Sequence, residues 1–313
     1  MEDIQTDLQA LEGNLTDLMG PVFRVLKATL EYPAKPEVKA SKLADDVTFF
    51  TKGDNGDAVL WQVWWVIFDI ASVVPPDHAW QDSLVQCLSL LRERDEVITP
   101  KIEGAPTFKD LPGLSLAAIE KFDAYDPSFV GIESPNLAHW KNLQSFFARL
   151  THTGIIRQLN FAIWEIRETI EGDEAQTLKG AELECHLWAV SEWLARCTKE
   201  IFELMSWKDE VKESEAQSLR TGKLCEGVAP LSLERWEFWR KRLADIAADR
   251  GSLELGDSVV ERIAEVLRRM DAIDGRRAAE SVVQAGSSEK PQGEKVGSDG
   301  AEGAEAKNLK ASD

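Results

Sequence analysis

The chain has 313 residues, enough for one large domain or two, with 55 acidic residues against 36 basic ones and a net charge of −19. That charge opposes non-specific binding to DNA, RNA or anionic lipid, which needs clustered lysines and arginines. Only Arg235–Arg242 and Arg262–Arg277 come near such clustering, and acidic residues interleave both.

In chain order, residues 4–11 suit a short helix, and Leu15 to Leu30 places Leu15, Leu18, Met19, Val22, Phe23, Leu26 and Leu30 on one helical face, with Pro21 tolerable only in a first turn. Pro33 and Pro36 end that segment, and Ser41 can cap a helix from Lys42 to about Thr51. Between Ala58 and Val74 only Gln62, Asp69 and Ser72 are polar. A helix apolar nearly all round is buried in protein or in membrane. This one is interrupted by Asp69, stopped by Pro75-Pro76 and lacks cationic anchors, whereas a bilayer span needs about 20 apolar residues. A core helix is therefore expected, anchored by Trp61, Trp64 and Trp65. Asp77 is the expected cap of a second helix carrying Trp80, Leu84, Cys87, Leu88 and Leu91, packed antiparallel on the first.

Residues 98–135 are proline-rich and irregular, with one helix expected near Leu114–Phe122. Phe108, Leu111, Leu114, Leu116, Phe122, Tyr125 and Phe129 mark the stretch as a wrap over the core instead of a lid. Helical stripes resume with Trp140, Leu143, Phe147 and Leu150, then Ile155, Leu159, Ile163, Ile166 and Ile170 up to Gly172. The longest helix is expected from about Leu178 to Trp207, with a seam of Leu183, Leu187, Val190, Leu194, Cys197, Ile201 and Leu204. A polar loop to Pro230 precedes a helix over Leu233–Ala248 that turns Trp236, Trp239, Leu243 and Ile246 inward. Ser258 with Glu261 reads as a capping box for the last helix, whose stripe is Val259, Ile263, Val266, Leu267, Met270 and Ile273. The expectation is an all-α fold, a single multi-helix bundle or irregular array of about eight to ten helices over residues 1–278. The acidic Gly/Ala/Ser/Glu/Lys tail, 279–313, has no aromatic residue and is expected to be disordered.

Six stretches carry a family resemblance: Leu60-Trp61-Gln62-Val63-Trp64-Trp65, Val74-Pro75-Pro76-Asp77-His78-Ala79-Trp80-Gln81, Trp140-Lys141-Asn142-Leu143, Phe147-Ala148-Arg149-Leu150-Thr151, Phe161-Ala162-Ile163-Trp164-Glu165 and Leu233-Glu234-Arg235-Trp236-Glu237-Phe238-Trp239. Over about residues 57–247 the chain resembles a family of filamentous-fungal proteins catalogued as a domain of unknown function. The resemblance implies an α-helical intracellular protein and carries no catalytic residue.

No Gly-rich phosphate loop, G-x-S-x-G elbow, H-E-x-x-H or EF-hand loop occurs in the sequence, and the Glu-x-x-His spacing of di-iron bundles is absent. Glu182 and His186 share a helical face without a second pair. Asp45-Asp46 suits a solvated helix start better than a magnesium motif lacking its third acid. Glu165, Glu168 and Glu171 suit a solvated acidic face. His78 reads as a turn histidine satisfying a free backbone group, though with Asp77 and Gln81 it could line a cleft at the hairpin tip. His139 and His152 suit the surface, and Cys185 and His186, adjacent on a helix, point about 100° apart. The scattered cysteines Cys87, Cys185, Cys197 and Cys225 fit reduced thiols, and Met1-Glu2-Asp3 does not open an export signal, so a cytoplasmic place is expected, with the nucleus also open. No catalytic, cofactor-binding or metal-binding residue is assigned. The reading is a soluble, non-enzymatic module that binds a protein partner, with neither nucleic acid nor membrane as a target. The alternative is a tryptophan-rich pocket for an apolar or aromatic small molecule, lined by groups such as Gln62, Asp69 or His78.

Overall fold

The computed structural model describes residues 2–53, 55–98, 105–125, 135–173, 177–207 and 217–288, with side chains described from Ile4 to Arg276. The chain is all-α, and no strand occurs among the described residues beyond one isolated antiparallel bridge between Val97 and Thr107. Chain contacts divide it into two units, Met1–Ile273 and Asp274–Asp313.

The first half holds α1 (Glu2–Gly13), α2 (Met19–Glu31), α3 (Pro36–Thr51), α4 (Gly56–Val73) and α5 (Ala79–Arg94). In α2, Pro21 occupies the first turn, where its missing N–H costs nothing. The expected inward face holds for Met19, Val22, Phe23, Leu26 and Leu30, whereas Leu18 stands in solvent at 72% exposure. Helix α3 starts six residues earlier than Lys42. Pro36 opens it at a first-turn position, where its fixed φ is already helical, instead of ending the preceding segment. Asp45 and Asp46 consequently lie mid-helix and not at a solvated start.

Helix α4 is long and apolar enough to cross a membrane by length and composition, at 18 residues and mean hydropathy 1.2, yet 67% of it is buried inside the protein. It packs against α1, α2 and α3 and against two later helices, α6 (Leu114–Tyr125) and α7 (Asn136–His152). Trp64 is fully buried and its indole N–H donates to the Pro112 carbonyl at 2.9 Å, while Trp61 and Trp65 are only half-buried. Helix α5 does not lie along α4 as expected. It packs chiefly on α3 and touches α4 only lightly. The Pro75-Pro76 turn carries α5 off the axis of its predecessor, and buried Gln81 fixes that departure by donating to the Ala71, Val74 and Asn142 carbonyls at 3.3, 2.9 and 3.3 Å. Its cap is His78, whose Nδ1 accepts from the Trp80 N–H at 3.3 Å. Asp77, the expected cap, lies outside.

The connection after α5 is fastened at its neck, where Ile98 N–H donates to the Pro106 carbonyl at 2.9 Å and Phe108 N–H to the Glu96 carbonyl at 3.1 Å. Phe108, Leu111, Leu114 and Phe122 are buried as expected, Leu116 is exposed, and Phe129 lies outside the described residues. Gly113, at φ +82°, brings its backbone against the Trp61 ring, so its left-handed turn and Pro112 together clasp α4.

Beyond α7 come α8 (Leu159–Ile166) and a π-helical turn, Arg167–Glu171. Then follow α9 (Gly180–Met205), which departs from helical backbone at Cys197, α10 (Leu233–Ala248) and α11 (Asp257–Ser288). The seam expected for the longest helix is buried from Leu183 to Ile201 and faces α7. Helix α11 begins at Asp257, so Ser258 sits inside the first turn and not at the cap. It continues past the boundary expected at 278 as far as Ser288, and residues 289–313 lie outside the described residues. Rings bind the helices together. Phe122 of α6 stacks on Phe161 of α8 at 4.3 Å and meets Trp140 edge-on at 5.0 Å, and Phe68 of α4 meets Phe147 of α7 at 5.4 Å. Of the eleven tryptophans, Trp64, Trp80, Trp140, Trp193, Trp236 and Trp239 are buried, and Trp207 is the exposed exception.

Candidate functional site

The polar groups first considered for a pocket are engaged in the fold. Asp69 is buried and paired with buried Lys121. It also accepts from the Tyr125 hydroxyl at 3.1 Å, and the Lys121 ammonium sits 4.1 Å from the Trp65 ring centroid. His78 is spent as the α5 cap and stands edge-on to Trp80, with ring centres 5.0 Å apart. Gln62 is half-buried on the same helix as Asp69. Among the described residues, Gln62, Asp69 and His78 line none of the larger openings. His186 turns to Glu165 at 2.9 Å, not to Glu182, and Cys185 points the other way, toward the Leu137 carbonyl. His152 meets Glu200 at 3.0 Å on the surface, and Asp45 meets Arg94 at 2.6 Å.

The expected acidic face is the clearest correction. Glu165 and Glu171 are 2% and 0% exposed, and only Glu168 reaches solvent. For Glu171 the π turn is the reason, its wider coil swinging the side chain inward, toward α10, whereas Glu165 lies before the turn and faces His186 of α9. There Glu171 receives the Arg235 guanidinium, at 2.7 Å from Nε and 3.0 Å from Nη2, together with the Trp239 indole N–H and the Gly222 N–H. Arg235, also fully buried, donates its remaining protons to the Leu219, Pro230 and Arg220 carbonyls at 2.7, 2.7 and 3.1 Å. Every donor thus has an acceptor, the condition for tolerating a buried ion pair. A basin of about 560 Å3 lies beside this knot. It is lined by Arg167, Arg220 and Lys223 and by Glu168, Asp173 and Glu226, charges that offset one another.

A cleft of about 390 Å3 does open at the tip of the α4–α5 turn. Of the trio named for it, only Asp77 lines it, beside Pro75, Pro76, His139, Trp188 and Arg262. The Arg262 guanidinium lies 4.5 Å from the Trp188 ring centroid, and His139 approaches Asp7 at 3.8 Å. Burial lowers the His139 pKa further than Asp7 raises it, which favours the neutral imidazole. Glu192, at the cleft wall, accepts from Ser145 at 2.7 Å, from Arg262 at 2.6 Å and from Arg196. Burial works to raise its pKa, but Arg196 and the three donors outweigh burial and hold it below the ordinary 4.5. A carboxylate with a depressed folded-state pKa adds stability that is present above its unfolded value and lost as pH falls through the folded one. Glu192→Gln is therefore expected to flatten the drop in melting temperature between about pH 5 and pH 3. An unchanged slope in thermal melts across that range would remove Glu192 from the acid response.

A largely apolar opening lies elsewhere among the described residues, between α2 and α3. It is a groove of about 590 Å3 lined by Val25, Ala28, Thr29, Tyr32, Ala34 and Val38, with Arg24, Lys39 and Lys42 as its cations and no acid in the lining. Val25, Tyr32 and Val38 are 36%, 66% and 57% exposed. Of the exposed apolar side chains here, Val25 lies within α2, Leu18 and Tyr32 flank its two ends, where Tyr32 already has extended backbone, and Phe49 lies on α3 eleven residues after Val38. Of the eight large apolar side chains exposed among the described residues, three (Val25, Val38 and Phe49) fall on these two helices and two more (Leu18 and Tyr32) flank α2. Thr29 donates to Asp46 at 2.8 Å and Lys42 pairs with the same carboxylate, which ties the walls together. Sequence reading assigned Leu18 to the core because it lies near the inward stripe. Leu18 instead lies just before α2, outside the helix whose inward face it was expected to join.

No curated protein and no solved structure matches the chain. One family pattern does, over residues 64–243, or 180 of the 313 residues, and its description is "Protein of unknown function (DUF3632)". The match begins at the buried Trp64 and ends at Leu243 of α10, so it takes in the aromatic core and both partners of the Glu171–Arg235 knot. The chain belongs to the DUF3632 family.

Proposed function

We propose that this protein is a non-enzymatic docking module that holds a partner protein against the α2–α3 face. The observation carrying this is the apolar groove lined by exposed Val25, Tyr32 and Val38, with Leu18 and Phe49 also exposed on the flanking segments. The buried charged groups Asp69, Lys121, Glu171, Glu192 and Arg235 are engaged in hydrogen bonds and ion pairs that hold helices together, which suits a scaffold. The four cysteines are unpaired and buried, and burial pushes the Cys185 and Cys197 thiols up to about 12, in keeping with inert thiols in a reducing cytoplasm.

The test compares tagged wild-type protein with a Val25→Asp/Val38→Asp variant, purified in parallel from the cells that make it. Both positions are exposed, so the variant is expected to melt with the wild type, within about 0.5 kcal/mol. A protein retained by the wild type and lost by the variant supports docking at this face. Identical retention by both, or no retained protein from either, overturns it.

A further inference from the structure

We propose that the occupant of the α2–α3 groove is an acidic amphipathic helix of a partner protein, about two heptads long, with its apolar stripe on Val25, Tyr32 and Val38 and its carboxylates on Arg24 and Lys42. The proposal rests on the docking reading above and adds what the partner must look like.

Length comes from the wall. Helix α2 has 13 residues, about 20 Å at 1.5 Å per residue, which matches a partner segment of some two heptads. Placement comes from the exposed side chains Val25, Tyr32 and Val38, which line the groove from both walls and offer a facing apolar stripe its contacts. Charge comes from the rim. In a chain with 55 acidic and 36 basic residues, the groove lining holds three cations and no acid. Arg24 and Lys42 stand on opposite walls with side chains 60% and 58% exposed, Arg24 reaching Glu12 only at 3.8 Å and Lys42 paired with Asp46. Lys39 is held inward by the Leu30 carbonyl and lies 5.5 Å from the Trp80 ring centroid, so it contributes positive potential more than a free donor. A second copy of this chain fits less well, because a twofold contact through the groove would set Arg24 and Lys42 against their own counterparts. An anionic membrane also fits less well, because the net charge of −19 repels such a surface within a Debye length of about 10 Å.

The experiment titrates full-length protein into three labelled peptides of about fourteen residues that share a leucine heptad face and differ in flanks of Glu, Gln or Lys. Fluorescence anisotropy is the readout. Flotation with phosphatidylserine vesicles and sedimentation of the protein alone run alongside. The Glu-flanked peptide is expected to bind at least about tenfold tighter than the Lys-flanked one. Arg24→Glu is expected to erase most of that preference, and Val25→Asp/Val38→Asp to abolish binding of all three. Equal affinity for the three peptides, lost in the double variant, overturns the acidic partner while leaving the docking face standing. Concentration-dependent dimers or vesicle flotation, lost in the double variant without peptide binding, overturn the helix as occupant in favour of a second copy or a bilayer. No peptide binding, dimer or flotation overturns both the acidic helix and the docking face.

Discussion

Arg235→Ala is expected to destabilise the protein by about 3–5 kcal/mol, because it leaves the Glu171 carboxylate charged in a site with no exposure. Urea unfolding followed by circular dichroism measures it. A simple buried pair would be largely rescued by replacing both partners with apolar residues. Rescue is not expected here. Glu171 also serves the Trp239 and Gly222 N–H groups and Arg235 serves three backbone carbonyls, so Glu171→Met/Arg235→Met strands five backbone or indole groups instead of none. The loop around Gly222 should loosen first, and Cys225 reports on it. Its thiol is buried, and burial pushes its pKa up to about 11, so it should resist a thiol reagent at pH 8 in the wild type and react readily in Arg235→Ala. Gly222→Ala is expected to produce the same exposure by another route, since a Cβ there would stand 2.6 Å from the Glu171 backbone. A wild-type melting curve and unaltered Cys225 protection in both variants would show that the knot does not hold the loop.

Trp64→Ala is the second large effect, expected at about 3–5 kcal/mol for the lost ring, with Trp64→Asp worse because it sinks a carboxylate into a site with no exposure, beside Pro112 and Gly113. Part of the loss is polar. Trp64→Phe keeps most of the apolar surface but strands the Pro112 carbonyl, an expected cost of about 1–3 kcal/mol. Trp61→Ala and Trp65→Ala, at half-buried positions of the same helix, should cost less than Trp64→Ala. The ranking comes from urea midpoints at constant slope. Equal midpoints for Trp64→Ala and Trp61→Ala would mean that α4 is not the helix around which the others close.

Periodicity made the fold legible wherever one face of a helix is buried and the other wet. The stripes of α7, α9 and α10 read directly from Trp140 to Leu150, Leu183 to Ile201 and Trp236 to Ile246. It failed where backbone geometry departs from 3.6 residues per turn or where a residue type has two uses. Glu171 looked solvated because an ordinary helix would place it beside Glu168, and the π turn that moves it leaves no composition signal. Pro36 was ambiguous between stop and start, and only the packed chain decides. His78 could cap or line a cleft, and the cap won because the first-turn N–H of Trp80 was within its reach. The α2–α3 groove was invisible for a different reason. A sequence shows that a side chain is apolar, but not that the neighbouring helix stops short of covering it.

The wide coil before Gly172 holds one residue more than an ordinary turn would need, and that surplus has a consequence for how this chain can vary. A one-residue deletion among Arg167, Glu168 and Thr169 would restore the usual pitch and rotate whatever follows by about 100°. The acid that greets the guanidinium would then face water, while the arginine waited on a helix whose own sequence had not changed. Length at this point is thus as tightly specified as identity, and a relative lacking that residue would need to have lost the arginine as well.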